Sequence, residues 1–97
     1  MRQPLISVVV PTYNRRELLK LCLKSIFSQE LPEGEEMEII VIDDGSSDGT
    51  WDWLNEILPE HPELVLIHLN DDGVAAARNA ALDAAKGTFI RFIDSDD

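Results

Sequence analysis

The run Glu38-Ile39-Ile40-Val41-Ile42-Asp43, followed by Asp44-Gly45-Ser46-Ser47, decides the fold. Four β-branched residues in succession, with no polar alternation, describe a strand covered on both faces, and such strands belong to parallel sheets flanked by helices. A second run of this kind, Leu5-Ile6-Ser7-Val8-Val9-Val10, lies upstream and stops at Pro11. Between the two, Asn14 with Glu17 three residues later fits an N-cap and capping box. Leu18, Leu19, Cys22, Leu23, Ile26 and Phe27 then recur at helical spacing, which predicts a helix over residues 15–29.

Working outward, residues 31–36 read as a polar loop. A second helix is expected from Ser47 or Asp48 to just before Pro59, with Trp51, Leu54 and Leu58 turned inward. Residues 64–68 give a third strand, the alanine-rich stretch 74–86 a third helix stopped by Gly87, and residues 88–93 a fourth buried strand. Right-handed crossovers turn this βαβαβαβ string into a Rossmann-like three-layer α/β/α domain around a parallel sheet, with expected strand order 3-2-1-4. The sequence stops at Asp97, where such a sheet would normally continue, so it reads as the N-terminal part of a longer protein. An uncovered fourth strand at the sheet edge invites self-pairing, and a homo-oligomer is expected.

Composition narrows the function. Ninety-seven residues, 44% hydrophobic and 28% charged, fit one folded domain rather than a collagen-like or disordered chain. A net charge of −11 repels phosphate backbones, so nucleic acid is excluded as a partner. Cys22 is the sole cysteine, no apolar run reaches the roughly 20 residues of a membrane span, and no signal segment opens the chain. These features point to the cytoplasm, with a full-length protein peripheral at the cytoplasmic membrane face. The charge is segregated: residues 1–24 hold five basic groups against Glu17, whereas residues 25–97 hold eighteen acids against Arg78, Lys86 and Arg91. Either this is an exposed basic helix face on an acidic protein, or that face meets an anionic surface or partner.

In parallel α/β sheets, ligands collect beyond the carboxyl ends of the strands. Here those ends read Pro11-Thr12-Tyr13-Asn14, Asp43-Asp44-Gly45-Ser46-Ser47, Asn70-Asp71-Asp72-Gly73 and Asp94-Ser95-Asp96-Asp97. Clustered carboxylates at three of four tips ask for a cation or donor groups to offset their repulsion. Asp94, Ser95, Asp96 and Asp97 form either half of a hard-cation site, completed by substrate phosphates, or a plain acidic turn. Asp43 and Asp44 point to opposite faces of the sheet, so one of them is placed to accept hydrogen bonds from a base or ribose; the alternative is that both cap the following turn and helix. Arg78, one turn into the third helix, is either a phosphate contact or a surface arginine. His61 and His68 have no metal-binding spacing, and Cys22 reads as a core residue. Of Trp51 and Trp53, one reads as core and the other as half-exposed. P-loop, dinucleotide-dehydrogenase and serine-hydrolase motifs are lacking.

Taken together, the segments 6–14, 40–50, 73–79, Gly87 and 92–97 resemble the family 2 glycosyltransferases of the GT-A fold, and the resemblance spans essentially the whole chain. It implies residues 1–97 are the nucleotide-sugar-binding part of such a domain, without the acceptor-binding part. The donor implied is a uridine diphosphate sugar, bound with Mn²⁺ or Mg²⁺, for transfer with inversion to a hydroxyl of a sugar, lipid or protein acceptor. Position by position, Pro11, Thr12 and Tyr13 would line the base and ribose pocket, with Tyr13 stacking. Asp44 would accept a hydrogen bond from the uracil imide, Arg78 would lie near the nucleotide, Asp94 near the ribose, and Asp96 would ligate the metal. The resemblance gives the general base to a later segment, and no residue here matches it. Two alternatives are a phosphoacceptor receiver domain, whose acid pair belongs after the first strand rather than the second, and a non-catalytic nucleotide or metal binding module.

Overall fold

The computed structural model describes residues 4–29 and 34–93. Strands β1 (Ile6–Thr12), β2 (Met37–Asp44), β3 (Leu64–Leu69) and β4 (Phe89–Phe92) form one parallel sheet in the order β3-β2-β1-β4, as the sequence predicts. Helices α1 (Arg16–Phe27), α2 (Thr50–Ile57) and α3 (Val74–Ala84) make the crossovers, and a 3₁₀ turn at Leu58–Glu60 absorbs Pro59 after α2.

Strand alternation builds two cores. Val8, Val10, Ile39 and Val41 face one side, where Leu19, Leu23 and Ile26 of α1 and Leu54 of α2 cover them. Trp51 and Trp53 both pack partly buried at its margin, rather than dividing into one core and one half-exposed ring. Val9, Ile40 and Ile42 face the other side, against Ala77 and Ala81 of α3. β2 therefore has both faces covered, which is why its sequence shows no alternation. Burying one leucine such as Leu23 contributes roughly 1.5–3 kcal/mol, and truncating it to alanine costs about 2–5 kcal/mol once the cavity is included.

Three expectations are corrected. The first strand does not stop at Pro11 but runs through it to Thr12, pairing Pro11 with Ile42 and Thr12 with Asp43 of β2. Leu5 and Val9 turn their carbonyls to β4, accepting from the Phe89 and Ile93 amides, so Pro11 in the same phase turns its nitrogen to that side, beyond the last β1–β4 pair at Val9 and Phe92. Among the described residues, its missing N–H falls where no ladder bond to β4 is made. Second, β4 is exposed at all four positions, with Phe89 at 62%, as expected of an uncovered edge strand but not of the buried strand its apolar run describes. It is the edge strand, and the two cores draw their helices over β1 and β2. Third, Asn14 does not cap α1; the N-cap position is Arg15, which makes no side-chain cap bond, and Asn14 bonds to a different loop.

Candidate functional site

The tips of β1 and β2 are tied into one unit by side chains about thirty positions apart in sequence. Asn14 adopts a left-handed backbone (φ 48°), which asparagine tolerates better than most residues. Its amide donates to Ser46 Oγ (2.8 Å), and its Oδ1 accepts from the Ser47 amide (2.7 Å). Asp48 extends the link: Oδ2 accepts from the Arg16 amide in the first turn of α1 (3.1 Å), while Oδ1 accepts from the amide and hydroxyl of Thr50 at the start of α2. One carboxylate thus serves the N-termini of two helices. Burial opposes its ionisation, but the bonds from the Thr50 hydroxyl and the Arg16 and Thr50 amides prevail and hold its pKa below the ordinary value.

Asp43 and Asp44 diverge, as strand alternation requires. Asp43 is fully buried; its Oδ1 accepts from the Ser46 amide (3.1 Å), and its Oδ2 is buried with no hydrogen-bond partner among the described residues. Asp44 faces the α3 side, where Oδ1 accepts from the Asp72 amide (2.8 Å) and Oδ2 from the Gly73 amide (3.0 Å). Gly73 reaches this position with φ 94°, a conformation that strongly favours glycine. Asp43 therefore caps the following turn, as one reading of the sequence allows, whereas Asp44 does not cap that turn or α2 but holds the amides at the start of α3. A carboxylate has about four acceptor positions, so Asp44 keeps capacity toward solvent after both bonds.

A cleft of about 460 Å³ opens beside Asp44, between the tip of β1, the first turns of α3 and the end of β4. Pro11, Thr12, Tyr13, Asp44 and Arg78, five of the seven residues singled out from sequence, line it. Asp94 and Asp96 lie outside the described residues. Tyr13 is half-exposed, leaving a ring face for stacking. Arg78 packs its guanidinium 5.4 Å from the ring centre of Phe92, which holds the cation at the cleft wall. Arg15 also lines the cleft and was not among the predicted residues. The signal available was its place one residue beyond Asn14, at a strand tip. Among the described residues, the wall carries two cations, Arg15 and Arg78, against Asp44, in a chain of net charge −11. That suits an anionic ligand, and the first turn of α3 adds its partial positive charge.

A larger cavity of about 600 Å³ sits at the opposite, amino end of the strands. Glu35, Glu36, Glu38 and Glu63 line it, which makes it hostile to a phosphate. Among the described residues no group of three His, Cys, Asp or Glu side chains is placed to hold a metal ion.

A parallel sheet in the order β3-β2-β1-β4, with a cleft at its strand tips, defines a Rossmann-like α/β domain. The chain belongs to glycosyl transferase family 2, whose pattern it matches over residues 7–97, and its structure matches GT-A glycosyltransferases. It is 43% identical over 94 residues to the poly(ribitol-phosphate) beta-glucosyltransferase of Bacillus spizizenii, covering 95% of this chain and 15% of that protein. Among solved structures, mannosyltransferase PcManGT from Pyrobaculum calidifontis, in complex with GDP-Man and Mn²⁺, superposes with a TM-score of 0.85 at 33% identity, over 99% of this chain and 28% of that one. TarS from S. aureus, in complex with UDP-GlcNAc, gives 0.82 at 35% identity, over 95% of this chain and 26% of that one. The chain thus spans well under half the length of these relatives. No helix among the described residues is long and apolar enough to cross a membrane.

Proposed function

We propose that this chain is the donor-binding region of an inverting glycosyltransferase, holding a nucleotide sugar in the strand-tip cleft with its uridine diphosphate against β1, β2 and α3. The observation that carries this reading is the convergence of Pro11, Thr12, Tyr13, Asp44 and Arg78, drawn from three separate segments, on one cleft. Tyr13 stacks on the base. Asp44, fixed by the Asp72 and Gly73 amides, accepts from the uracil imide with its remaining lone pairs. Arg78, joined by Arg15, faces the diphosphate, and Asp94 reads the ribose.

The described residues do not by themselves make a metal site, so the divalent cation is assigned to Asp96 and the donor's own phosphate oxygens. Asp96 would hold Mn²⁺ or Mg²⁺ there, and the chemistry the cation would supply is neutralisation of diphosphate charge. The acceptor is a hydroxyl of a sugar, lipid or protein. No carboxylate of residues 1–97 is assigned as its general base, a role worth roughly 10²–10⁴ in rate. Residues 1–97 alone are therefore expected to hydrolyse donor slowly at most.

Calorimetry with UDP, GDP and Mn²⁺ tests the reading. UDP should bind weakly, more tightly than GDP, and Mn²⁺ should strengthen it. Asp96→Ala should remove the metal effect while leaving metal-free binding in place. Equal UDP affinity with and without Mn²⁺ in the unmodified chain would remove the metal role of Asp96. Tighter binding of GDP than UDP would reassign the base.

A further inference from the structure

The outer face of α1 is neither core nor part of the donor cleft. Leu19, Leu23 and Ile26 fill the inner face, while Leu21, 66% exposed, stands at the centre of the outer one, with Leu18 beside it at 43%. Lys20 and Lys24 lie one turn apart beside these leucines, and Arg16 stands at the helix start, while Arg15 before it belongs to the donor cleft. Lys20 has its ammonium 5.4 Å from the Trp53 ring centre, so it is held at the edge of the face. Glu17 is the one acid of the helix, and it lies within 4 Å of two of these cations, 3.7 Å from Arg16 and 3.8 Å from Lys20. Elsewhere the protein is strongly acidic. A basic face concentrated on one helix, with two leucines exposed at its middle, is not explained by solubility, which the surplus of acids already secures.

We propose that this face of α1 docks on an anionic lipid surface, Leu18 and Leu21 entering the headgroup boundary while Lys20 and Lys24 reach sideways to lipid phosphates. The twelve-residue helix is about 18 Å long, and its outer surface is convex. Two leucines are far too little apolar area for a stable protein interface, which needs about 800 Å² from each partner. They suffice for interfacial attachment when cations supply the rest. Acids farther away than the Debye length of about 8 Å are screened at physiological salt. Asp52 and Glu56 on the exposed side of α2, in the same layer as α1, carry charge that opposes docking. Attachment is accordingly weak, selective for anionic lipid and sensitive to salt.

Sedimentation of the 97-residue chain with phosphatidylcholine vesicles, with and without phosphatidylglycerol, tests this. Binding is expected only with phosphatidylglycerol and should be lost in high salt. Lys24→Gln and Leu21→Ser should each lower partitioning about fivefold. Both side chains are exposed, so the circular dichroism spectrum should not change. Lys86→Gln, which removes a basic side chain elsewhere, should leave partitioning unaltered. No binding to anionic vesicles by a folded chain overturns the proposal and would favour an acidic protein as the partner of this face. Equal binding to both vesicle types, or equal loss in Lys24→Gln and Lys86→Gln, overturns it too.

Discussion

Gly87 passes directly against Ser7. Its amide donates to Ser7 Oγ (2.7 Å), and a Cβ on Gly87 would lie 2.5 Å from the Ser7 nitrogen and 2.8 Å from the Ile6 carbonyl carbon. Ser7 Oγ in turn donates to Glu38 Oε2, which also accepts from the Lys86 amide, so a buried carboxylate on β2 fastens the α3–β4 connection across β1.

Gly87→Ala cannot be absorbed by moving a flexible side chain, because the atoms it meets are mostly backbone. We expect a loss of about 1–3 kcal/mol or more, read from the denaturant midpoint. Ser7→Ala leaves the Glu38 carboxylate short of a donor and should cost about 1–3 kcal/mol. If Gly87→Ala unfolds at the wild-type midpoint, the close approach is wrong.

The pairing of Asp44 with the Asp72 and Gly73 amides predicts an effect that separates stability from binding. A Cβ on Gly73 meets nothing within 4 Å, so Gly73→Ala costs only its backbone strain, of order 1–3 kcal/mol at φ 94° and ψ 170°. The amides should nevertheless swing away from Asp44, and nucleotide affinity should fall in calorimetry. Asp44→Ala should narrow the difference between UDP and GDP before it abolishes binding. Unchanged affinity in both variants would take Asp44 out of the site.

Asp48 predicts a pH effect. Its folded pKa is depressed, so its stabilising contribution is fully present above the ordinary carboxylate pKa of the unfolded chain. It is lost as pH falls through the lower folded value. Asp48→Ala should cost about 1 kcal/mol at neutral pH, as for a lost helix cap, and less in acid. A variant equally destabilised at neutral and strongly acidic pH would contradict this assignment.

β4 exposes Phe89, Ile90 and Phe92 on the outermost strand of the sheet. Such an edge pairs readily with a second copy, so sedimentation should show concentration-dependent association of the 97-residue chain, relieved by Phe89→Lys. Monomer at every concentration would refute this.

The architecture was legible in the sequence because it rests on local signals. Apolar runs such as 38–42 marked strands, the leucine spacing of 18–27 marked a helix, and right-handed crossovers left few ways to order them. Pro11 misled because its tolerance depends on which neighbouring strand its nitrogen faces, a fact of register rather than of adjacent residues. Asn14 misled in the same way: a capping box is a local pattern, but the bonds Asn14 makes are to Ser46 and Ser47, a whole βα unit away. The cleft residues on strand tips were legible from topology. Arg15 was missed because its one signal, a place just beyond the strand tip, does not tell whether a residue before a helix turns into the cleft or to solvent.

The Asn14–Ser46 and Asp48–Arg16 bonds also bear on motion. Neither loop can open without breaking the other's bonds, so the two should fluctuate as a single cooperative unit with one opening free energy. A nucleotide resting only on Tyr13 and its neighbours would then slow hydrogen exchange at the amides of residues 46–50, which it need not touch. Protection spreading from one loop to the other would mark the pair as a preformed jaw, closed by its own bonds before any ligand arrives.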